Sequence, residues 1–305
     1  MYKLKELRSL EMEPKVGIVL VNYNGELFQE ECLKSIRSST YKNYEIIIVD
    51  NGSTDKSISK VKKVFNNLII LETGENNGVA KGNNIGIKKA IEIGCEYILL
   101  LNNDTEIEKD MISNMVKKVN KDVMVTCKMY YYNQSDVLWC AGGKIHWNKG
   151  ITSHFGENQK DIGQLDVSRF VEYTPTCCLL IHKDIFTKVG FMDEKYFMYY
   201  DDTDFIARCS KKNIKVWYEA SAKLWHKVSS SSGGCESKIS VYYLNRNRLY
   251  FINKFCNNKF IPTSYFYITR ILKLIKYRFN NEELFKTLIL AIKDYKRDKM
   301  FRHDF

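Results

Sequence analysis

The chain has 305 residues, a hydrophobic content of 45% and a formal net charge of +11, which together allow a large globular core and exclude a disordered protein. Its nine cysteines form no CxxC pair and no Cys/His zinc spacing, which disfavours a disulfide framework and a structural zinc and predicts a reducing, cytoplasmic compartment. Residues 1–8 are charged where a secretory signal needs apolar residues, and no later stretch reaches the ~18 apolar residues of a spanning helix, so we expect neither export nor a membrane span.

Short apolar runs alternate with segments of helical period from residue 15 to about 120. The apolar runs are residues 16–22, 45–50, 68–72 and 97–104, and the helical segments are residues 26–38, 54–65, 79–93 and 109–119. This alternation predicts a parallel sheet with crossover helices. Each apolar run ends in polar or flexible residues, so we expect four such ends along the sheet edge where open α/β sheets bind ligands.

After about residue 120 the pattern changes to short runs rich in Tyr, Trp and Gly, which predict hairpins, loops and a mixed sheet. A helix is expected over residues 203–212 and a strand over 215–218, followed by a flexible Ser/Gly run at 229–234. Trp139, His146 and Trp147 belong to this part of the chain. Core packing is the favoured interpretation of these rings, and stacking on a sugar is the alternative.

Asp104 ends the apolar run that begins at residue 97, so its carboxylate is expected at the ligand-binding edge. One or two carboxylates together with substrate phosphates commonly bind Mg²⁺ or Mn²⁺, which makes Asp104 a candidate metal ligand. The alternative is a cap on a helix that begins at Glu106 or Lys109. His226 ends another apolar segment and is either a structural histidine or part of the same site.

Two other strand ends carry candidate residues. Asp50 ends its apolar run, and Ser53 or Thr54 is expected to cap the next helix, although a plain strand-to-helix turn is the alternative. Residues 76–86 place glycines and amides beside Lys81 at a helix start. There the backbone can approach a phosphate or a base, and Lys81 can supply a cation.

Asp201, Asp202 and Asp204 crowd three carboxylates into four residues at the start of a predicted helix. The positive end of a helix favours acidic residues, so at least one of them is explained as a cap. Crowding also makes a carboxylate more basic, which suits a general base. We expect one Asp to act as the base and the others as cap and support.

These motifs together resemble family 2 glycosyltransferases of the GT-A fold, and within them the rhamnosyltransferase-like branch. The similarity is carried by residues 19–24, 48–55, 77–84, 101–105, 178–181, 189–205 and 242–248. It implies an α/β fold with a Rossmann-like, mostly parallel central sheet flanked by helices, a mixed-strand acceptor-side half and a C-terminal helical appendage. The implied domains are residues 1–255, with a nucleotide-sugar half at about 15–120 and an acceptor half at about 121–255, and a basic aromatic extension at 256–305.

The resemblance also implies roles for individual residues. The residues expected around the donor nucleotide are Asn22, Asn24, Asp50, Asn77, Lys81 and Asn103. Asp104 would hold a divalent cation, Mn²⁺ or Mg²⁺, on the donor diphosphate, His226 would complete that site, and Asp202 would be the catalytic base. The Ser/Gly run at 229–234 would become ordered over bound donor.

The implied reaction is an inverting transfer of a hexosyl or deoxyhexosyl group from a nucleoside-diphosphate sugar to a hydroxyl. The implied acceptor is a glycan or lipid-linked glycan of a bacterial surface polysaccharide, and rhamnose is one candidate sugar. Two positions depart from the family pattern: Asn102 replaces the first acid of the Asp-x-Asp metal motif, and Asp201 replaces the Glu of a Glu-Asp pair. Weaker metal affinity and a shifted carboxylate are the expected consequences.

Two other classes of function compete with this interpretation. A nucleotidyltransferase would also join an α/β sheet to a cation and a nucleotide, but residues 23–26 lack a Gly-rich loop with a paired Arg or Lys. A degenerate fold that only binds a glycan or a partner protein predicts lost acids, whereas Asp50, Asp104, Asp202 and His226 are all present.

The last quarter of the chain is strongly basic, since residues 238–305 contain 15 Lys/Arg and 5 Asp/Glu. Aromatic residues are interleaved with these charges, and one apolar stripe recurs at helical spacing. The stripe comprises Ile268, Leu272, Ile275 and Phe279. It predicts an amphipathic helix, which lies on the inner face of the membrane, pairs with a second chain or packs on its own core. No nucleic-acid-binding motif accompanies the charge, so nucleic acid is not an expected partner.

Overall fold

The structure is a computed structural model, and it describes residues 13–227 and 236–305. The first half has the predicted alternation of strands and helices. The strands are β1 (Val16–Asn22), β2 (Tyr44–Asp50), β3 (Leu68–Glu72) and β4 (Tyr97–Leu101), and the helices between them are α1 (Gln29–Arg37), α2 (Ser57–Val64) and α3 (Gly78–Glu92). These strands lie in the order β3-β2-β1-β4 and are all parallel.

Alternate residues of the central strands pack into two cores on opposite faces of the sheet. In β1, Ile18 and Leu20 join one core while Val19 joins the other, and Ile47 of β2 packs with Val19. Strands covered on both faces are expected to be continuous apolar runs, and all five residues of β4 are buried. The apolar runs in the sequence therefore mark the centre of the sheet.

The second half extends this sheet with strands of both directions. Its elements are β5 (Thr105–Ile107), α4 (Met111–Val116), β6 (Val123–Tyr131), β7 (Gln134–Cys140), β8 (Gly143–His146), β9 (Ile151–His154), β10 (Gln159–Lys160), β11 (Arg169–Val171), β12 (Cys178–His182), α5 (Lys183–Val189), α6 (Asp201–Lys211) and β13 (Lys215–His226). Strand β12 is antiparallel to β4 and β6, whereas β13 is parallel to β6. The 11-stranded sheet is therefore parallel in its first half and mixed in its second, as predicted.

Two predicted elements differ in length from the observed ones. Strand β4 ends at Leu101, so Asp104 lies in the turn before β5, and the interpretation of Asp104 as a helix cap is wrong. Strand β13 was predicted to end at residue 218 but continues across a register shift between Glu219 and Lys223 to His226. This extension pairs His226 with Thr105 of β5, one residue from Asp104.

Three helices follow the sheet: α7 (Lys238–Phe255), α8 (Phe260–Asn280) and α9 (Glu282–Lys296). Helix α9 lies against α7, where the hydroxyl of Tyr242 donates to Asp294 Oδ2 at 2.8 Å. The predicted amphipathic stripe of α8 faces solvent, with exposed fractions of 62% for Ile268 and 84% for Phe279, so its packing on the protein's own core is wrong. Within the described residues, we find no helix long and apolar enough to cross a bilayer. A domain boundary at residues 255/256 stays a prediction.

Candidate active site

A pocket of about 390 Å³ opens at the ends of β1, β2 and β4. Tyr23, Asn51, Asn103 and Asp104 line it from the strand ends, as the parallel topology predicts. Residues 302–305 form part of the opposite wall. The pocket is therefore built from segments that lie far apart in the sequence.

Asn22 holds three strand ends together beside this pocket. Its side chain is fully buried, and Nδ2 lies 3.2 Å from Asp50 Oδ1, 2.9 Å from Ser53 Oγ and 2.9 Å from Ser57 Oγ. Its Oδ1 accepts from Asn103 Nδ2 at 2.8 Å. The structure thus brings together Asn22, Asp50 and Asn103, which the sequence assigned to one site.

Ser53 and Thr54 do not cap helix α2, so that expectation is wrong. The helix begins at Ser57, whose backbone N–H donates to Asp55 Oδ1 at 3.0 Å, and the Ser53 hydroxyl serves Asn22 instead. The polar residues after β2 therefore brace the pocket floor rather than the helix end.

Three other predicted nucleotide residues do not line the pocket. The exposed Asn24 accepts from the backbone N–H of Thr54 at 2.8 Å, and Asn77 donates to the carbonyl of Glu75 at 3.1 Å, so both shape loops at the rim. Lys81 is half-buried on α3 outside the pocket lining. Their neighbours line the pocket wall instead: Tyr23, Asn76 and Asn83.

Asp104 and His226 form a buried pair at the edge of the pocket. His226 Nε2 lies 3.1 Å from Asp104 Oδ1, and their exposed fractions are 6% and 5%. The backbone N–H of Lys227 donates to the Asp104 carbonyl at 2.9 Å, which fixes the turn against the end of β13. The other ring nitrogen, His226 Nδ1, is buried and finds no hydrogen-bond partner among the described residues.

The chemistry of this pair fits a divalent cation. Adjacent ligands of an octahedral ion with bonds of about 2.1 Å lie about 3 Å apart, close to the observed Asp104–His226 separation. Carboxylate and imidazole are both suitable ligands for Mn²⁺. The described residues contain no group of three or more His, Cys, Asp or Glu that could hold a metal, so the other ligands would be substrate oxygens and water.

The three acidic residues of helix α6 have different environments. Asp204 is fully buried and paired with Arg208 Nε at 2.6 Å and Lys254 Nζ at 2.5 Å. Burial and then the charge of Asp202 raise the pKa of Asp201 well above its usual value. Tyr200 occupies the N-cap position, with φ of +66° and no side-chain cap bond, so none of the three Asp residues is the N-cap. All three lie in the first turn, where the positive end of the helix favours acidic residues.

Asp202 is half-buried and held through both carboxylate oxygens. Oδ1 accepts from the backbone N–H of Thr203 at 2.6 Å and from its hydroxyl at 3.0 Å, and Oδ2 accepts from the Tyr173 hydroxyl at 2.6 Å. Burial, followed by the charge of Asp202, raises the pKa of Tyr173 well above its usual range, so this phenol remains a donor at neutral pH. The arrangement orients the carboxylate, and no Lys, Arg or His of the described part of the chain forms an ion pair with it.

A path of aromatic rings joins Asp202 to the Asp104–His226 pair. Trp139 meets His226 edge-on at 4.6 Å and His154 at 5.0 Å, and His154 stacks on Tyr173 at 5.9 Å between ring centres. Burial lowers the pKa of His154, which keeps its ring neutral. Trp139 therefore borders the site.

Several residues of this region are not marked by any motif in the sequence. Tyr173 and His154 are two of them, and they lie in the irregular segment of the expected acceptor half. Residues 302–305 were also missed: the backbone N–H of His303 donates to the Tyr243 hydroxyl at 2.8 Å, and its ring stacks on Tyr242 at 4.6 Å. The Ser/Gly run at 229–234, predicted to order over bound donor, lies outside the described residues.

Two relatives are similar in sequence to this chain over most of its length. The low-salt glycan biosynthesis hexosyltransferase Agl10 of Haloferax volcanii is 26% identical over 246 residues, which cover 76% of this chain and 74% of that protein. The dTDP-rhamnosyl transferase RfbF of Shigella flexneri is 28% identical over 265 residues, which cover 80% and 81%.

Solved structures show the fold. The structure of GalNAc-T7 with UDP, GalNAc and Mn²⁺ superimposes with a TM-score of 0.67 at 13% identity, over 94% of this chain and 57% of that chain. The present chain thus spans little more than half of that structure, and the likeness identifies its fold as GT-A. The sequence profile of Glycosyl transferase family 2 matches residues 17–189, which is more than half of the chain. With this match, the relatives and the shared fold, we conclude that the protein belongs to glycosyl transferase family 2.

Proposed function

We propose that this glycosyltransferase is cation-dependent and transfers a sugar, with inversion, from a nucleoside diphosphate to a hydroxyl of a glycan or lipid-linked glycan. The observation that carries the proposal is the buried Asp104–His226 pair at the edge of a pocket to which Asp202 is linked through packed rings. The donor would occupy the pocket at the strand ends, beside Asn22, Asp50 and Asn103. The acceptor would approach from the side of Asp202.

In this proposal, Asp202 takes the proton of the acceptor hydroxyl as that oxygen attacks the anomeric carbon and the bond to the diphosphate breaks. A single displacement of this kind inverts the anomeric configuration. Tyr173 and Thr203 hold the carboxylate in position throughout. A divalent cation held by Asp104 and His226 would supply stabilisation of the negative charge on the departing diphosphate.

The identity of the sugar is also a proposal. Similarity to the dTDP-rhamnosyl transferase RfbF along most of both chains favours a deoxyhexose, with dTDP-rhamnose as the first donor to test. The similarity to a hexosyltransferase keeps hexoses in the panel. A catalytically weak fold that only binds a glycan or a partner protein is the alternative function, and it gives no account of the buried Asp104–His226 pair.

The first experiment measures nucleotide release from dTDP-, UDP- and GDP-sugars with Mn²⁺ or Mg²⁺. We expect cation-dependent release from one donor in the wild type and a loss of roughly a hundredfold or more in Asp104→Ala. Transfer to acceptor should fall similarly in Asp202→Asn, because an amide cannot take the proton. Asp136→Asn is the matched control, since Asp136 is an exposed carboxylate on β7 that pairs with the exposed Lys160.

Nucleotide release that is unchanged by added chelator would contradict the cation site. Binding of a donor by wild type, without transfer to any tested glycan and with equal affinity in Asp104→Ala, would favour the binding-protein alternative.

We further propose that the enzyme works in the cytoplasm at the inner face of the membrane, through helix α8. Its exposed apolar stripe is flanked by Lys273, Lys276 and Arg278, and the helix contains no acidic residue. Basic residues near an anionic bilayer contribute about 1 kcal/mol each. Leu272→Asp should reduce sedimentation with phosphatidylglycerol vesicles, whereas Ile162→Asp, at a residue that is 82% exposed elsewhere, should not. Equal sedimentation of both variants would exclude this surface.

A further inference from the structure

Three cations cluster where helix α7 meets helix α8. The guanidinium of Arg248 lies 5.5 Å from the ring centre of Tyr265 and 5.4 Å from that of Phe266. Arg270 lies 5.5 Å from the Phe266 ring, and the ammonium of Lys149 lies 5.4 Å from the Tyr265 ring. Arg248 shares the Tyr265 ring with Lys149 and the Phe266 ring with Arg270, so its charge lies near both of the others.

No carboxylate among the described residues pairs with these cations. The arginines that do form such pairs are Arg208 and Arg302. Arg248 is 3% exposed, and its Nε and Nη2 donate only to the carbonyl of Lys149, at 3.1 and 2.6 Å. Arg270 Nε is buried and has no hydrogen-bond partner within residues 13–227 and 236–305. Burial lowers the pKa of both arginines, and the charge of Arg270 lowers that of Arg248 further.

A buried guanidinium without a counter-charge is unfavourable, and aromatic faces compensate for it only in part. An anion would supply the missing charge, and the planar guanidinium donors match the oxygens of a phosphate. The exposed Lys149 and the partly exposed Tyr265 mark the route from solvent. The cluster therefore has the composition of an anion site and an opening to the surface.

Tyr200 connects the cluster to the acceptor side. It directly precedes Asp201 and Asp202, and its hydroxyl donates to the carbonyl of Gly150 at 2.9 Å, beside Lys149. Burial raises the pKa of Tyr200, the positive charges of Arg248 and Arg270 lower it, and the charge of Asp202 raises it. The hydroxyl is thus within electrostatic reach of both the arginines and the proposed base.

We infer that Arg248, Arg270 and Lys149 bind a phosphate group of the acceptor, an assignment that rests on the proposed function. Tyr265 lies on the exposed face of α8, next to the stripe proposed to contact the membrane. A phosphate at this depth lies at the level of lipid headgroups, so a phosphorylated lipid is the favoured source. Free phosphate shares the same chemistry, and the test separates the two.

The test titrates the full chain with farnesyl phosphate, farnesol and inorganic phosphate, with heat or tryptophan fluorescence as the signal. Farnesyl phosphate should bind, and Arg248→Gln and Arg270→Gln should each weaken it by roughly tenfold or more. Arg270→Lys should retain part of the affinity because it keeps the charge. Lys296→Gln is the matched control, since it removes an exposed charge from helix α9 at a residue that belongs to neither the cluster nor the stripe.

Thermal unfolding of each variant shows whether it is folded, and Arg270→Gln at a half-buried position serves if Arg248→Gln does not fold. Inorganic phosphate that binds as tightly as farnesyl phosphate, with the same arginine dependence, supports the site and assigns it to free phosphate. Equal affinity for farnesol, or unchanged affinity in both glutamine variants, overturns the inference. Donor hydrolysis does not use these arginines. If the wild type hydrolyses no donor, the proposed function is refuted, and the phosphate titration can still be measured.

Discussion

Gly78 and Gly74 provide a matched test of the contact between Gly78 and Phe197 in the pocket wall. Both have positive φ, +78° and +76°, so alanine at either position carries a backbone cost of about 1–2 kcal/mol. They differ in their surroundings. A Cβ on Gly78 would lie 2.2 Å from the carbonyl oxygen of Phe197 and 2.7 Å from its ring, whereas a Cβ on Gly74 meets nothing within 4 Å.

The clash sets the size of the expected difference. Phe197 would have to move by roughly an ångström, an overpacking strain of about 1–3 kcal/mol. The hydrogen bond from the Val79 N–H to the Phe197 carbonyl, 2.8 Å long, would be lost with it, at about 1 kcal/mol. We therefore expect Gly78→Ala to lower the free energy of unfolding by about 2–4 kcal/mol more than Gly74→Ala does.

Urea unfolding of the two variants beside the wild type measures this difference. Because Gly78 and Phe197 both line the pocket, Gly78→Ala should also weaken binding of the nucleoside diphosphate, and Gly74→Ala should not. Equal stability losses in the two variants would refute the argument that Gly78 is required by the contact with Phe197.

Three further outcomes are expected. Tyr173→Phe removes a hydrogen bond to a charged group that is worth about 1.5–3 kcal/mol, so acceptor turnover should fall by roughly tenfold or more while the donor KM stays constant; a changed donor KM would instead indicate a structural role. Burial lowers the pKa of His182 below 6.5 in the folded state, so the unfolded chain binds more protons and stability falls as pH drops below 6.5. His182→Asn keeps a side-chain acceptor for the Asp184 N–H. The free energy of unfolding, measured at pH 7.5 and at pH 5.5, should decline less in this variant than in the wild type. Lys128→Met leaves the carboxylates that pair with this fully buried ammonium uncompensated and should lower the free energy of unfolding by about 2 kcal/mol, measurable in urea.

The sequence predicted the parts of the site that follow from parallel strands. Asn22, Asp50 and Asn103 meet because the carboxyl ends of such strands share one edge, and the strands themselves are long apolar runs. It is harder to predict which loop residues line the pocket, because a motif does not determine which way a side chain points. Asn24 and Lys81 were therefore assigned to a pocket whose wall they do not form.

Contacts between distant segments could not be read from local patterns. The residues alone left His226 as either a structural histidine or part of the Asp104 site, and the family resemblance implied the pairing. The end of β13, which brings the two together, was predicted eight residues too early. Residues 219–223 contain Ala, Ser and Lys, which have weak strand propensity, and the ladders with β6 and β5 extend the strand beyond them. Tyr173 reaches Asp202 by the same kind of tertiary contact, for which the sequence gives no local signal.

The pocket combines residues within and beyond the part of the chain that matches the family profile. Its floor at the strand ends lies within residues 17–189, the part that matches the family, whereas Phe197, Met198, Tyr243 and residues 302–305 lie beyond it. Residues 302–305 form part of the pocket wall and include neither Asp202 nor His226. Exchange of residues 302–305 between relatives is therefore a route to chimeric enzymes that keep the strand ends, Asp202 and His226 and change the opposite wall of the pocket.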